Sequence, residues 1–408
     1  MAVGFIGVIV LLLAAVLMSE NRKGINLRIV GSAFGLQVLI AVIVLYVPLG
    51  RRALAGLASG VQGIIEHAKE GTNFLFGELS TNMGFIFVIQ VLPIIIFISA
   101  LMSVLYYMNI MQKVVRVLGS ALRAIVGTSR VVSMCAVANI FAGQTEAPLV
   151  VKPYLRNLSR EQLFAVMCSG LASISGAILV GYSALGINLE YLLAAAFMAA
   201  PGGLLMANLL IPVHKDDTSS KDAIDNLDIY AGGERPANVI DAAAEGASTG
   251  VRLAVNIGAM LLAFIALISL ANGILGATAG LFGVEDFTLE LVFGWVFAPL
   301  MYLLGIPWSE AATAGNLMGQ KIILNEFVAY VSMVDVQSEL SPKSLAVTTF
   351  ALCGFANLGA LAILIGGLGG LVPERRRDIS KLGLKAVLAG SLSNLMSAAI
   401  ASILLFSL

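Results

Sequence analysis

Two acidic clusters interrupt an otherwise apolar chain. The first reads Asn139-Ile-Phe-Ala-Gly-Gln-Thr-Glu146-Ala-Pro-Leu and the second Asn316-Leu-Met-Gly-Gln-Lys-Ile-Ile-Leu-Asn-Glu326-Phe. Each joins one carboxylate to several side-chain amides, a set that can hydrogen-bond a polar solute; two carboxylates could also serve as acid and base. An ionised carboxylate in hydrocarbon costs several kcal/mol, so two of them at matching places in two half-chains predict a built polar cavity and point to solute transport. Lys321, a few residues before Glu326, offers a competing structural reading as a salt-bridged pair.

The elements that must position these groups are membrane helices. Of 408 residues, 59% are hydrophobic and 12% charged, with zero net charge, and the mean hydropathy is +0.96; soluble domains carry about a quarter charged residues. Runs free of Asp, Glu, Lys and Arg cover 2–19, 29–50, 79–112, 162–189, 191–213, 253–284, 344–373 and 386–408. Each approaches or exceeds the roughly 20 residues that cross a hydrocarbon core, which predicts eight spans. The first run lacks a basic leader and reads as a retained span. Glu190 parts two spans so narrowly that a tight turn must join them.

Cys135, Cys168 and Cys353 fall in apolar stretches without disulfide or metal spacing, and His67 and His214 form no cluster. Basic residues are spread over short loops, which argues against nucleic acid as a partner.

Arg22, Lys23 and Arg28 after the first span place that loop in the cytoplasm and both termini outside. Lys113, Arg116, Arg123 and Arg130, then Lys215, Lys221, Arg235 and Arg252, then Arg375, Arg376, Arg377, Lys381 and Lys385 agree, while the opposite loops are short or acidic (184–190; Glu285, Asp286 and Glu290). The first cluster is flanked by Arg130 and by Lys152, Arg156 and Arg160; the second by Glu310 and by Asp335 and Glu339. These flanks predict two re-entrant hairpins entering from opposite faces, their broken backbone shielded from lipid by protein or water. The uncharged segment 291–309 fits either the outer surface, which the charge pattern favours, or a crossing. The stretches 51–78 and 109–128 suit interfacial helices, and 216–234 reads as a cytoplasmic loop.

Each cluster is followed by a span with a polar interruption, Gly170-Leu-Ala-Ser173-Ile-Ser in one half and Gly354-Phe-Ala-Asn357-Leu-Gly in the other. Glu146 and Glu326 are separated by nearly the same number of residues as Gly170 and Gly354. With opposite entry sides, this is an inverted repeat, the architecture in which substrate and ion bind near the midplane.

At these residues the chain resembles the concentrative nucleoside transporter family. The motifs that carry the resemblance are Gly143-Gln-Thr-Glu-Ala-Pro-Leu149, Asn325-Glu326-Phe-Val-Ala-Tyr330, Phe350-Ala-Leu-Cys-Gly-Phe-Ala-Asn357, Gly366-Gly-Leu-Gly-Gly-Leu-Val-Pro-Glu-Arg-Arg376 and Gly390-Ser-Leu-Ser-Asn-Leu-Met396. The resemblance implies an all-α inner-membrane protein of bacterial type and a homotrimer. It further implies a scaffold part (1–108 and 251–284) and a transport part (109–250 and 285–408) that moves as an elevator, with no covalent chemistry.

By the same likeness, Gln144, Thr145 and Glu146 face a nucleobase with Ile178 lining its pocket. Glu326 and Asn357 hold ribose hydroxyls beside Phe355, and a uridine-like substrate is favoured. Sodium is the implied coupling ion, held by the Asn139 and Ser173 side chains and the Ala142 and Ile174 carbonyls, with proton coupling as the alternative. The family commonly places a serine where Ala360 stands, and Ala360 cannot hydrogen-bond the ribose. A passive channel and an intramembrane enzyme are competing readings; accumulation against a gradient and recovery of unchanged substrate separate them from a carrier.

Overall fold

Caps written into the sequence set the helix ends. In the computed structural model, which describes residues 2–80, 86–213, 235–284 and 287–405, every regular element among those residues is helical. His214, Lys215, Lys221, the loop 216–234, Glu285 and Asp286 lie outside the described residues.

Helix α1 (Ala2–Leu17) leads to α2 (Leu27–Leu45), where the Asn26 side chain accepts the Arg28 amide at 3.1 Å. Pro48 opens α3 (Pro48–Phe76), its missing N–H harmless at a helix start. The short α4 (Phe87–Gln90) and α5 (Leu92–Tyr107) form one apolar stretch, and α6 (Ile110–Val126) stops at Gly127, whose φ of +83° suits glycine. The stretch 109–128 forms an amphipathic helix: α6 buries Met111, Val115, Leu122 and Val126 and leaves Lys113 and Arg116 exposed.

After α7 (Arg130–Ala138), capped by Ser129, the chain turns through 139–146, and a 3-10 turn (Ala147–Val151) folds back on α7 before α8 (Lys152–Leu155). Helix α9 (Arg160–Ala172) starts on a Ser159–Gln162 capping box, breaks at Ser173-Ile174-Ser175 and resumes as α10 (Gly176–Ala184). The expected tight turn follows: Asn188 caps α11 (Leu189–Leu210) and Glu190 lies in its first turn.

Helix α12 (Val239–Gly280) runs 42 residues and begins well before the uncharged run at 253. Asp241, Glu245 and Arg252 are exposed on one side of the extension, while Ala242, Gly246, Gly250 and Ala254 make a buried small-residue seam against α5. A Cβ on Gly250 would stand 2.7 Å from the Ile96 Cα, so these backbones touch only because the side chain is missing.

Helix α13 (Leu289–Leu303) takes up most of the ambiguous segment 291–309 and packs along α14 (Trp308–Ile323), turned by 116°. Helix α15 (Glu326–Asp335) packs back on α14; then come α16 (Pro342–Leu352), a break at 353–357, α17 (Leu358–Leu371) and α18 (Arg376–Leu404).

Among the described residues, six helical stretches are long and apolar enough to cross a membrane, or seven counting the bent α13–α14 pair. The eight uncharged runs each overlap a helix or helix pair, but α1 is short and the seventh run is split between α16 and α17 by its break.

The helices divide by burial. Of the apolar window in Arg160–Ala184, 94% is buried, against 17% in α12 and 22% in α2; the interrupted span is the centre and α2, α5 and α12 lie outside. Glu20, between α1 and α2, ties this centre at one end. Arg160 donates to it at 2.7 and 3.0 Å and Lys385 at 2.9 Å. Chiefly through the Arg160 hydrogen bonds, its carboxyl is held down at about 2.

Candidate functional site

Both helix breaks open onto a cavity of about 440 Å³, within the range of small-molecule sites. All seven residues expected to meet substrate line it: Gln144, Thr145 and Glu146 from the first turn, Ile178 from α10, Glu326 from the start of α15, and Phe355 and Asn357 from the second break.

Glu326 is 5% exposed. Its carboxylate is aimed by two donors, the Tyr182 hydroxyl at 3.0 Å on Oε1 and the Asn357 amide at 2.8 Å on Oε2. Asn325 caps α15 by accepting the Val328 amide at 2.9 Å, which leaves Glu326 in the first turn, where the helix dipole favours negative charge. The Tyr182 ring is fixed against Phe327 (centroids 5.1 Å) and Tyr330 (4.4 Å), and the Tyr330 hydroxyl donates to the Thr349 carbonyl at 2.8 Å. Asn357 has a second task, capping α17 by accepting the Ala360 amide at 2.6 Å. Carboxylate lone pairs not taken by Tyr182 and Asn357 are available to hydroxyl donors from the cavity.

Opposite, Glu146 is exposed to the cavity and accepts the Gly143 amide at 3.4 Å. Gln144 is buried, and its Oε1 has no partner. An unpaired buried carbonyl costs about 1–3 kcal/mol, so this oxygen is poised for a donor.

Behind the cavity, Asn139 is 1% exposed and donates from Nδ2 to the Cys135 carbonyl at 2.9 Å, while its Oδ1 is likewise unpartnered. The Ser173 hydroxyl donates to the Asn139 carbonyl at 2.8 Å, and Gly176 donates its amide to the Phe141 carbonyl at 2.9 Å, so the first turn is stitched to the first break. Ala142 and Ile174 are buried beside them. The donor set is neutral and hard, with one buried acceptor free, which fits a monovalent alkali cation. No group of three or more His, Cys, Asp or Glu able to hold a metal occurs among the described residues, and all three cysteines are free and buried.

Sequence reasoning missed Tyr182, although it lies one turn beyond Ile178 on α10 and shares its face. It also missed the wall from α12, formed by Leu253, Asn256, Ile257, Met260 and Phe264. Lys321, given no role from the sequence, is fully buried and donates to the Ala351 carbonyl and to Asn394 Oδ1, each at 2.8 Å. The close Lys321–Glu326 ion pair that their spacing raised is absent from the ion pairs of the described residues.

Fold and site together define a multi-pass membrane transporter. Its family follows from likeness to known proteins. The description "Na+ dependent nucleoside transporter" matches residues 191–402 by its C-terminal part and 6–79 by its N-terminal part, and "Nucleoside recognition" matches 88–188. The chain is 49% identical to the nucleoside permease NupC of Helicobacter pylori, over 98% of this chain and 96% of that protein. It is 35% identical to human solute carrier family 28 member 3, over 98% of this chain and 60% of that one. An inward-facing, substrate-bound structure of CNTnw superposes with a TM-score of 0.93 at 48% identity, covering 100% of this chain and 98% of the other. The chain belongs to the concentrative, Na+-dependent nucleoside transporter family.

Proposed function

We propose that the chain is a sodium–nucleoside symporter of a bacterial inner membrane, with both termini outside, working as a homotrimer by an elevator form of alternating access. The observation that carries this reading is the buried Glu326, oriented by Tyr182 and Asn357 toward a cavity of nucleoside size. In this reading Glu326 and Asn357 bind the ribose hydroxyls beside Phe355, and Gln144, Thr145 and Glu146 meet the base edge over Ile178. Sodium takes the free Asn139 oxygen with Ser173 and the Ala142 and Ile174 carbonyls. It supplies a charge that secures the first turn against the first break and, by leaving into a sodium-poor compartment, releases substrate there. The two turns enter the membrane from opposite faces, and residues 109–250 and 285–408 move against a scaffold of 1–108 and 251–284.

Proteoliposomes containing the purified chain are expected to accumulate labelled uridine above the external concentration when sodium is higher outside. A sodium ionophore should abolish accumulation. Uptake that only equilibrates would replace the carrier with a pore, and uptake driven equally by a proton gradient without sodium would overturn the coupling ion.

Ala360 tests the sugar contact separately. It lines the cavity with its backbone amide committed to Asn357. In Ala360→Ser a hydroxyl is added there, and one net hydrogen bond of about 1 kcal/mol predicts a fall of roughly fivefold in the KM for uridine. A competition panel of ribo- and deoxyribonucleosides is the measurement; equal gains for a substrate lacking the contacted hydroxyl would contradict the assignment.

A further inference from the structure

The two helix breaks are joined at a point outside the cavity lining, through Asn394 and Lys321. Asn394, 2% exposed in the middle of α18, donates from Nδ2 to the carbonyl of Ala172, the last residue of α9, at 2.7 Å. It donates also to the carbonyl of Cys353, the C-cap of α16, at 2.8 Å. Its Oδ1 accepts the Lys321 ammonium, which donates in addition to the Ala351 carbonyl in the last turn of α16. The backbone continues the link: the Phe355 amide donates to the Ser173 carbonyl at 3.2 Å. Gly354 has to lack a side chain here, because a Cβ would collide with the Asn394 amide and the Ala172 carbonyl.

Carbonyls at the ends of α9 and α16 carry the negative pole of each helix and have lost their own amide partners. Two such ends facing each other repel. A cation against them, extended by an amide that donates twice, removes the repulsion and fixes their separation. Lys321 reaches this point from α14, the element immediately before the Glu326 turn. Its neighbours on either side of the joint are functional candidates, Ser173 and Ile174 after Ala172, and Phe355 and Asn357 after Cys353.

We propose that Lys321 is a positioning residue: a tethered cation that, through Asn394, clamps the C-terminal ends of both interrupted helices and so holds the sodium ligands and the ribose ligands in one fixed relation. The first repeat uses a free cation at its break, and the second carries a covalently attached one. The inference rests on the sodium–nucleoside reading for the roles of the residues being held, while the clamp itself rests on the hydrogen bonds.

The test is Lys321→Met, which keeps chain length and removes charge, reconstituted in proteoliposomes after its elution profile shows folded protein. Removing one partner from a buried network that serves both sites is expected to raise the uridine KM and the sodium concentration for half-maximal uptake together, each by about tenfold, with the maximal rate kept within about threefold. A generally destabilised protein would lose active fraction and maximal rate and keep its KM. Asn394→Ser, which leaves Lys321 on Ala351, should move both constants the same way by less. Folded Lys321→Met with both constants within twofold of wild type overturns the proposal. If Lys321→Met aggregates, Asn394→Ser decides by the same two constants; aggregation of both variants makes the joint a folding element and also overturns it. A wild type indifferent to sodium would defeat the coupling reading alone, since the nucleoside KM still reports on the clamp.

Discussion

Glu326→Gln is expected to raise the uridine KM by roughly a hundredfold or more. The side chain is buried, so its full hydrogen-bonding capacity is directed either at Tyr182 and Asn357 or into the cavity. An amide of the same shape loses the charge and one acceptor. It also sets its own NH2 against the Asn357 NH2 or the Tyr182 hydroxyl, leaving a buried donor unpaired. Hydrogen bonds to a charged group contribute about 1.5–3 kcal/mol each and an orphaned donor costs about 1–3 kcal/mol, so a loss near 3 kcal/mol, about a hundredfold, is a low-side estimate. Initial rates of labelled uridine uptake against concentration measure it. Tyr182→Phe should produce a smaller loss in the same direction, because only the aiming of the carboxylate is disturbed. A Glu326→Gln KM within threefold of wild type would remove the carboxylate from the sugar site.

The second large effect is expected on the ion. In Asn139→Leu the unpartnered Oδ1 is replaced by a methyl group, and the side chain gives up only the Nδ2 hydrogen bonds to the Cys135 carbonyl and thiol. The fold has little to lose, since the turn stays stitched by Ser173 to the Asn139 backbone and by Gly176 to Phe141. On the proposed ligand set the ion would lose one of four ligands and bind far less well, so sodium activation of uptake should disappear over a range that saturates the wild type, a shift of about tenfold or more. The readout is uptake rate against external sodium at fixed uridine. An unchanged half-activation would show that the free oxygen serves something other than the cation.

Much of this site was legible because membranes punish polarity. Glu146 and Glu326 stand out from apolar surroundings, and the breaks at Ser173 and Asn357 follow them at matching distances. The caps at Asn26, Ser129, Ser159, Asn188 and Asn325 are local signals, and the helices start where they stand. Other features depend on contacts far apart in the chain. Tyr182 reads as another aromatic in an apolar helix until α15 places Glu326 against its hydroxyl. Asn394 reads as a small polar residue among many in α18 until both broken helices end on it. Lys321 suggested a partner five residues away and instead uses a carbonyl and an amide contributed by α16 and α18, because a residue on a helix before a sharp turn need not face the residue after it. The early start of α12 was hidden because charged residues on an exposed face do not end a helix, though they end an uncharged run.

The α12 wall has a consequence for speed. Apart from Asn256, the residues it presents to the cavity are Leu253, Ile257, Ala259, Met260, Leu261 and Phe264, none with a polar side-chain group. Contact with such a face is non-directional, so in the proposed elevator movement one register along it would be nearly as good as the next and sliding would meet little friction. If the proposed elevator movement holds, turnover and affinity would be set by different surfaces, the polar groups at the breaks holding cargo and the oily flank of α12 letting it travel.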